Sequence, residues 1–316
     1  MAKQALRMVF TETLLELAKR DPAIVVVTSD SRGSVTLNEF ADQLPRQFVE
    51  CGIAEQDAVG IAAGLFNSGL RPFVCGPACF YTLRSAEQVK VDVAYSHSNV
   101  KILGVSGGIS YGALGASHHS THDIALLRAI PGIEIYLPSD GYQMRALTHY
   151  LAASDTPAYI RVGRAAVPDI YHPEDSVFTP GKANRLQKGK DVSILACGEM
   201  VYHALQAADS LAESGISAGV WDMVSLRPLD TQAILAAADA KLVVTVEEHS
   251  VHGGLGAAAA EVLSQHKPTK MKILGLPDED PYNGASPDVM AHYGLDGKGI
   301  ADTIAGMVYA SHTQKG

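Results

Sequence analysis

The chain lacks most of the features that mark common functional classes. Basic residues are in the minority: 25 Lys and Arg stand against 34 Asp and Glu, a net charge of −9. A nucleic-acid surface needs a basic footprint, so no nucleic-acid partner is expected. The four cysteines, Cys51, Cys75, Cys79 and Cys197, form neither a CxxC pair nor a zinc spacing. That usage points to a reduced, cytoplasmic protein. The N-terminal stretch runs straight into a charged amphipathic helix and lacks the apolar core of a signal peptide. No apolar run is long enough to span a bilayer, so no membrane association is expected. The phosphate-loop pattern GxxxxGK[ST] is missing, no serine nucleophile elbow is expected, and no lysine is set to form a Schiff base.

What is present is core. Hydrophobic residues make up 47% and charged residues 19% of 316, enough for two domains with solid interiors. Short apolar runs such as 23–28, 71–76, 100–106, 133–137 and 158–162 alternate with helical periodicities at 81–94, 123–129 and 142–153. This alternation predicts a doubly wound parallel sheet with strands buried on both faces. Periodicity lapses from 164 to 190, where Pro168, Pro173, Pro180 and Gly181 punctuate a polar stretch. A second α/β unit then begins. Strands are expected at 191–196, 218–221, 242–246 and 271–274, with helices at 201–212, 231–237, 255–263 and 300–309.

One stretch stands apart, Phe48 to Asp57 (FVECGIAEQD). An apolar run breaks at Gly52 into a helix with Glu55 in its first turn, followed by Val59, Ile61, Ala62, Ala63 and Leu65. A helix this apolar belongs inside a protein or an assembly. Glu55 is then either a first-turn carboxylate favoured by the helix dipole or a buried carboxyl with a task. The long glycine-rich stretch 107–122 carries His118, His119 and His122. The pair His118 and His122 has the i,i+4 spacing of a metal-binding helix, but the glutamate of HExxH is missing. A polar substrate-binding loop or ordinary loop histidines are the readings left. Phe80 and Tyr81 follow an expected strand directly, as core residues or as a platform for a flat ring. Gly254-Leu-Gly-Ala-Ala-Ala259 fits GxGxxA, but Glu247, Glu248 and His249 stretch its distance from the preceding strand, which favours a closely packed helix start over a dinucleotide site.

Taken in order, ECGIAEQ around Glu55, Gly64, Pro72-Phe-Val, the aromatic pair, GALGASH ending at His118, Pro138-Ser-Asp140 and YIRVGR ending at Arg164 resemble the C-terminal section of the transketolase family. Ala196-Cys-Gly198, Leu226-Arg-Pro-Leu229 and Val246-Glu-Glu-His249 extend the resemblance over nearly the whole chain. It implies a pyrimidine-binding domain over 1–167, a linker over 168–189 and a transketolase C-terminal-like domain over 190–316. No Gly-Asp-Gly motif is present. The chain therefore resembles the second subunit of a split transketolase, whose partner, an N-terminal-type subunit, carries the diphosphate and Mg2+ site. Thiamine diphosphate would lie between the two, and a heterotetramer of two chains of each kind is expected. Sugar phosphates are the implied substrates.

The resemblance also implies roles. A protonated Glu55 would hydrogen-bond the cofactor pyrimidine and prepare it for attack on a ketose carbonyl. Phe80 or Tyr81 would stack on the pyrimidine, Tyr81 aligning best. His118 would orient the sugar or move its proton, Arg164 would bind a phosphate, and Ser34 is a further phosphate contact. Three positions depart from the family pattern: Leu114 replaces an aspartate that reads a donor hydroxyl, Ser106 a histidine, and Ala78 a phenylalanine. Donor choice is therefore expected to differ from the usual pentose phosphates. Related alternatives are a deoxyxylulose-phosphate-synthase-like carboligase and the β subunit of a 2-oxoacid dehydrogenase. A non-catalytic interaction subunit is the alternative from another class.

Overall fold

The computed structural model describes residues 3–175 and 177–313. Residues 1–2 and 314–316, at the outer ends of the two expected domains, and residue 176 in the expected linker lie outside them. Two α/β layers are present, as the alternation of apolar runs and helices predicts. The first sheet has seven strands. Its parallel part runs, from the inside of the molecule outward, Glu134–Tyr136, Ala158–Val162, Lys101–Val105, Arg71–Pro77, Ile24–Thr28 and Phe48–Glu50. The central strands are buried along their whole length, which is why their sequences are continuous apolar runs rather than alternating ones. The second sheet orders Met271–Leu276, Leu242–Ser250, Val192–Ala196 and Ala218–Asp222 in parallel, with Asn184–Gln187 added antiparallel at one edge.

The two halves are interlocked. Strand Ser225–Arg227, which belongs to the second half by sequence, pairs antiparallel with Glu134–Tyr136 and completes the first sheet. Trp221, Met223 and Leu226 share one apolar core with Val74, Ile102 and Tyr159. The stretch read as a linker differs from that reading at both ends. Ala166–Pro168 pairs with Lys3–Ala5, and Asn184–Gln187 is an edge strand. These strands are short and carry no periodicity of their own, so only the partner strand defines them.

A second difference lies at 81–94, expected as one regular helix. Here Phe80–Arg84 and Val89–Tyr95 are wide π-helical turns on either side of Ala86–Gln88. Such turns rotate side chains out of α register and recur at functional sites.

Candidate active site

The expected site residues lie where an open parallel sheet collects ligands, beyond the carboxyl ends of its strands. Ser34 lies in the loop after Ile24–Thr28, Glu55 in the turn after Phe48–Glu50, Phe80 just after Arg71–Pro77, His118 in the loop after Lys101–Val105, and Arg164 just after Ala158–Val162. Strand order thus brings together residues scattered over much of the chain.

They form a continuous row. Glu55 opens the helix Glu55–Asn67 and is 6% exposed. Its Oε1 accepts a hydrogen bond from Arg84 Nη1 at 3.1 Å. The Arg84 guanidinium lies 3.8 Å from the centroid of the Phe80 ring, a cation–π contact. Phe80 meets the His118 ring edge-on at 5.4 Å, and His118 meets Tyr111 at 5.3 Å. Arg164 lies over Tyr111 at 5.4 Å. His118 Nδ1 also shares a hydrogen bond with Ser117 Oγ at 2.9 Å. At the Glu55 end a hollow of about 440 Å³ opens, lined by Ile53, Ala54, Glu55, Gln56, Asp57 and Arg84.

At the far end two guanidiniums approach one another. Burial, followed by the positive charge of Arg164, lowers the Arg7 pKa from its ordinary value. Arg7 Nη1 donates to the Ser34 carbonyl at 2.6 Å. Arg7 Nε and Arg164 Nη1 are buried without a hydrogen-bond partner. Each guanidinium thus keeps one buried N–H unpaired beside a like charge, the kind of setting an oxyanion would satisfy. Arg7 is not among the residues expected from sequence. It sits on the first helix, Leu6–Ala18, and no local motif marks it.

Tyr81 requires a correction. It is fully buried, and its hydroxyl donates to Ser29 Oγ at 2.8 Å inside the sheet. With no exposed face it cannot stack on a ligand in this arrangement. The aromatic on the row is Phe80, which meets Arg84 and His118. A second correction concerns Gly104-Val-Ser106-Gly-Gly108, which does spell GxSxG. Ser106 follows its strand with φ 62°, as a nucleophile elbow would. Yet it is fully buried and its Oγ has no partner, so no base stands ready to activate it. Leu114 is 55% exposed, and Ala78 is buried. Among the described residues no group of three His, Cys, Asp or Glu side chains is placed to hold a metal ion, and no helix is long and apolar enough to cross a membrane.

Behind the row lies a buried polar seam that the sequence did not reveal. Asp123 opens helix Asp123–Arg128 and is fully buried. It accepts from Tyr159 Oη at 2.6 Å and pairs with Arg161 Nε at 3.0 Å. Arg161 Nη2 continues across to the Glu248 carbonyl at 2.6 Å. Glu247 caps the helix Leu255–His266 by accepting from the Leu255 and Gly256 amides at 2.7 and 2.8 Å. This explains GxGxxA: Gly254 lets a side-chain carboxylate, rather than a pyrophosphate, reach the helix start, and Gly256 lets the helix pack closely on Ile273 and Thr245. Burial raises the pKa of Glu247 to about 7 and of Asp222 to about 6, and lowers that of His249 to about 4.

Comparison with known proteins identifies the family. Residues 2–169 match the transketolase pyrimidine-binding domain, and residues 181–300 match the transketolase C-terminal domain. The chain is 59% identical over 300 residues to an apulose-4-phosphate transketolase subunit of Phocaeicola vulgatus, covering 95% of this chain and 96% of that one. It is 38% identical over 296 residues to a 6-deoxy-6-sulfo-D-fructose transketolase subunit of a Clostridium species, covering 93% and 92%. A solved split-gene transketolase, an inactive β4 tetramer, superposes with a TM-score of 0.86 at 36% identity, covering 98% and 99%.

Proposed function

The chain belongs to the transketolase family, and from that premise we propose that it supplies half of a ketol-transfer site, completed by a partner subunit. The reaction moves a two-carbon unit from a ketose phosphate to an aldose phosphate. Apulose 4-phosphate is the first donor to test, because the relative that carries its name is identical at 59% of positions. The carrying observation is the row that joins a buried carboxyl, Glu55, to a pair of unsatisfied guanidiniums, Arg164 and Arg7.

The residues fit thiamine diphosphate. A buried carboxyl lines an open hollow and the Phe80 ring lies against Arg84 at its edge, a suitable setting for a flat nitrogen heterocycle. Among the described residues no group of three His, Cys, Asp or Glu side chains is placed to hold a metal ion. Diphosphate and Mg2+ are assigned to the partner, as the likeness to a split transketolase implies. When bound, this cofactor supplies the nucleophilic carbon that holds the two-carbon fragment. Glu55 would hydrogen-bond the ring nitrogen, for which Arg84 has to release its carboxyl. Phe80 would flank the ring and help exclude water. His118, steered by Ser117, would orient the sugar carbonyl or accept a hydroxyl proton. Arg164 and Arg7 would bind the terminal phosphate and so fix the sugar's reach into the site, with Ser34 holding Arg7 through its carbonyl. Leu114 offers no acceptor to a donor hydroxyl, which favours a donor that differs from the usual ketose there. Ile53, Ile61, Leu83 and Tyr95 are exposed, Ile53 beside Glu55 in the hollow, and an assembly of two chains of each kind would cover such apolar surface.

The test is to combine the chain with a subunit that carries Gly-Asp-Gly, thiamine diphosphate and Mg2+, and to offer a panel of ketose phosphates and pyruvate. Ketol transfer from a ketose phosphate supports the reading. Consumption of pyruvate with no transfer from any ketose sinks it.

A further inference from the structure

The second domain places no side chain on the row from Glu55 to Arg164, yet it grips the loop that carries the middle of it. That loop, 107–122, closes on itself where the Gly108 and Ser120 amides and carbonyls bond at 3.0 and 2.8 Å. One face presents Tyr111 and His118 to the row. The other faces the second domain. Ile109 is fully buried in that domain's own core, beside Val192, Ile194 and Val246. Its amide donates to Glu248 Oε1 at 2.7 Å, and its carbonyl accepts from Ser286 Oγ at 3.1 Å.

Close approach repeats on either side of this plug. Gly108 and Gly115 have φ of 60° and 72°, and a Cβ at either would overlap Glu248 or Asn283 of the second domain. Between Ile109 and Gly115 sits the short turn Gly112–Leu114, which carries the exposed Leu114. A cavity of about 260 Å³ lies between these ties, lined among others by Ser110, His203, Glu248, Ser286 and Met290. The loop is thus pinned at points, with empty space behind it. Loss of one pin leaves it room to move.

We infer that Glu248, Asn283 and Ser286 are positioning residues for sugar recognition: they cast the loop that presents Tyr111, Leu114 and His118. Arg7 and Arg164 stand on the first domain's own helix and strand end, so their backbone positions do not depend on these pins, and only the Tyr111 contact of Arg164 reaches the loop. The inference rests on the proposed ketol transfer. A hydrogen bond weakens steeply once its distance or angle is off, which is why contacts made on the far side of a loop matter to what its near face binds.

The experiment uses the assembled two-subunit enzyme with Ser286→Ala, Glu248→Ala and Glu248→Gln, the last keeping an oxygen for the Ile109 amide. Ser286→Ala is expected to raise the sugar KM roughly three- to tenfold, as one lost hydrogen bond does. Turnover should stay within about twofold and inhibition by inorganic phosphate should not change. Glu248→Ala should act in the same direction, with Glu248→Gln recovering most of the loss. Amide exchange, read without any sugar, should accelerate in 107–118 and nowhere else. Wild-type KM and unchanged exchange in Ser286→Ala and Glu248→Ala would overturn the inference. So would exchange that accelerates across the whole chain with a falling melting temperature. Absence of ketol transfer in the wild type would sink the proposed function instead, leaving the exchange result to decide the loop.

Discussion

Glu55 and Asp123 are both buried carboxylates at the first position of a helix, and they are provided for in opposite ways. Asp123 has the Tyr159 hydroxyl at 2.6 Å, Arg161 at 3.0 Å and the Ile124 amide at 2.9 Å, all inside the molecule. Glu55 has Arg84, whose side chain is 50% exposed, and a hollow beside it. An exposed cation contributes little to holding a carboxylate, on the order of 1 kcal/mol or less. A carboxyl kept buried with so loose a partner is set up to change partner. The fully satisfied one anchors Arg161, whose Nη2 crosses to the second domain at the Glu248 carbonyl. The contrast extends to their surroundings: exposed Ile53 and Ile61 flank Glu55, whereas Tyr159, Arg161 and His249 around Asp123 are buried.

If the contrast is right, damage at Glu55 costs activity without stability. Glu55→Gln should lower turnover of the assembled enzyme by roughly 10²- to 10⁴-fold, the scale of a lost proton-handling group. Its melting temperature should move by no more than about 2 °C, the shift of a sub-kcal/mol change, checked by calorimetry. Damage at Asp123 should do the reverse. Arg161→Met strands a buried carboxylate and should cost about 3–5 kcal/mol in urea unfolding. A loss below about 1 kcal/mol, the scale of an exposed pair, would mean that the seam does little to anchor Arg161.

At the anion end, Arg7→Ala should raise KM for phosphorylated sugars by roughly 10- to 100-fold, as loss of a charge-assisted bond does. The unphosphorylated analogue should be unaffected, and steady-state kinetics with both sugars decides it. On the open face, Ile53→Asp should weaken assembly about tenfold in Kd, measured by sedimentation, with the fold of the single chain unchanged by circular dichroism.

The smallest effect is with pH. Asp222 and Glu247 have folded pKa values raised to about 6 and about 7. The folded chain keeps protons there that the unfolded chain releases above the ordinary carboxyl range. Their stabilisation is therefore complete at low pH and lost as pH rises through 6 and 7. His249, lowered to about 4, works in the opposite sense between about 4 and 6.5. Above about 6.5, burial of Glu248 and Glu199, raised to about 7 and about 8, adds to the effect of Glu247, and burial of Lys101, lowered to about 7, opposes it. The Glu247 share is therefore read by difference from its own variant. Melting temperature should fall by a few degrees, about 2–4 °C, between about pH 6.5 and 7.5. Glu247→Gln should flatten that slope, and an unchanged slope would show that Glu247 keeps no proton.

Much of this was legible in the sequence, for identifiable reasons. Buried parallel strands are written as continuous apolar runs, so Ile24–Thr28, Lys101–Val105 and Val192–Ala196 could be read directly. Glu55, Phe80, His118, Arg164 and Ser34 lie near strand ends in a recognisable order. What could not be read depends on partners far away in the chain. Ser225–Arg227 is a strand only because Glu134–Tyr136 lies beside it. Arg7 becomes part of an anion seat only through Arg164, and Arg161 meets Asp123 and Glu248 only after both domains fold. Tyr81 is the better match by alignment, and which of two adjacent rings faces into the sheet is decided by the packing around it, here the bond of Tyr81 to Ser29.

One titration tests the shared site most directly. The chain is held constant with thiamine diphosphate, Mg2+, a ketose phosphate donor and an aldose phosphate acceptor, and the Gly-Asp-Gly subunit is added in steps. Ketol transfer should be absent from either chain alone and should rise to a plateau at an equimolar ratio. Full-rate transfer by this chain without the partner would contradict the claim that Glu55 serves half a site, and a mixture inert toward every ketose would contradict the activity itself.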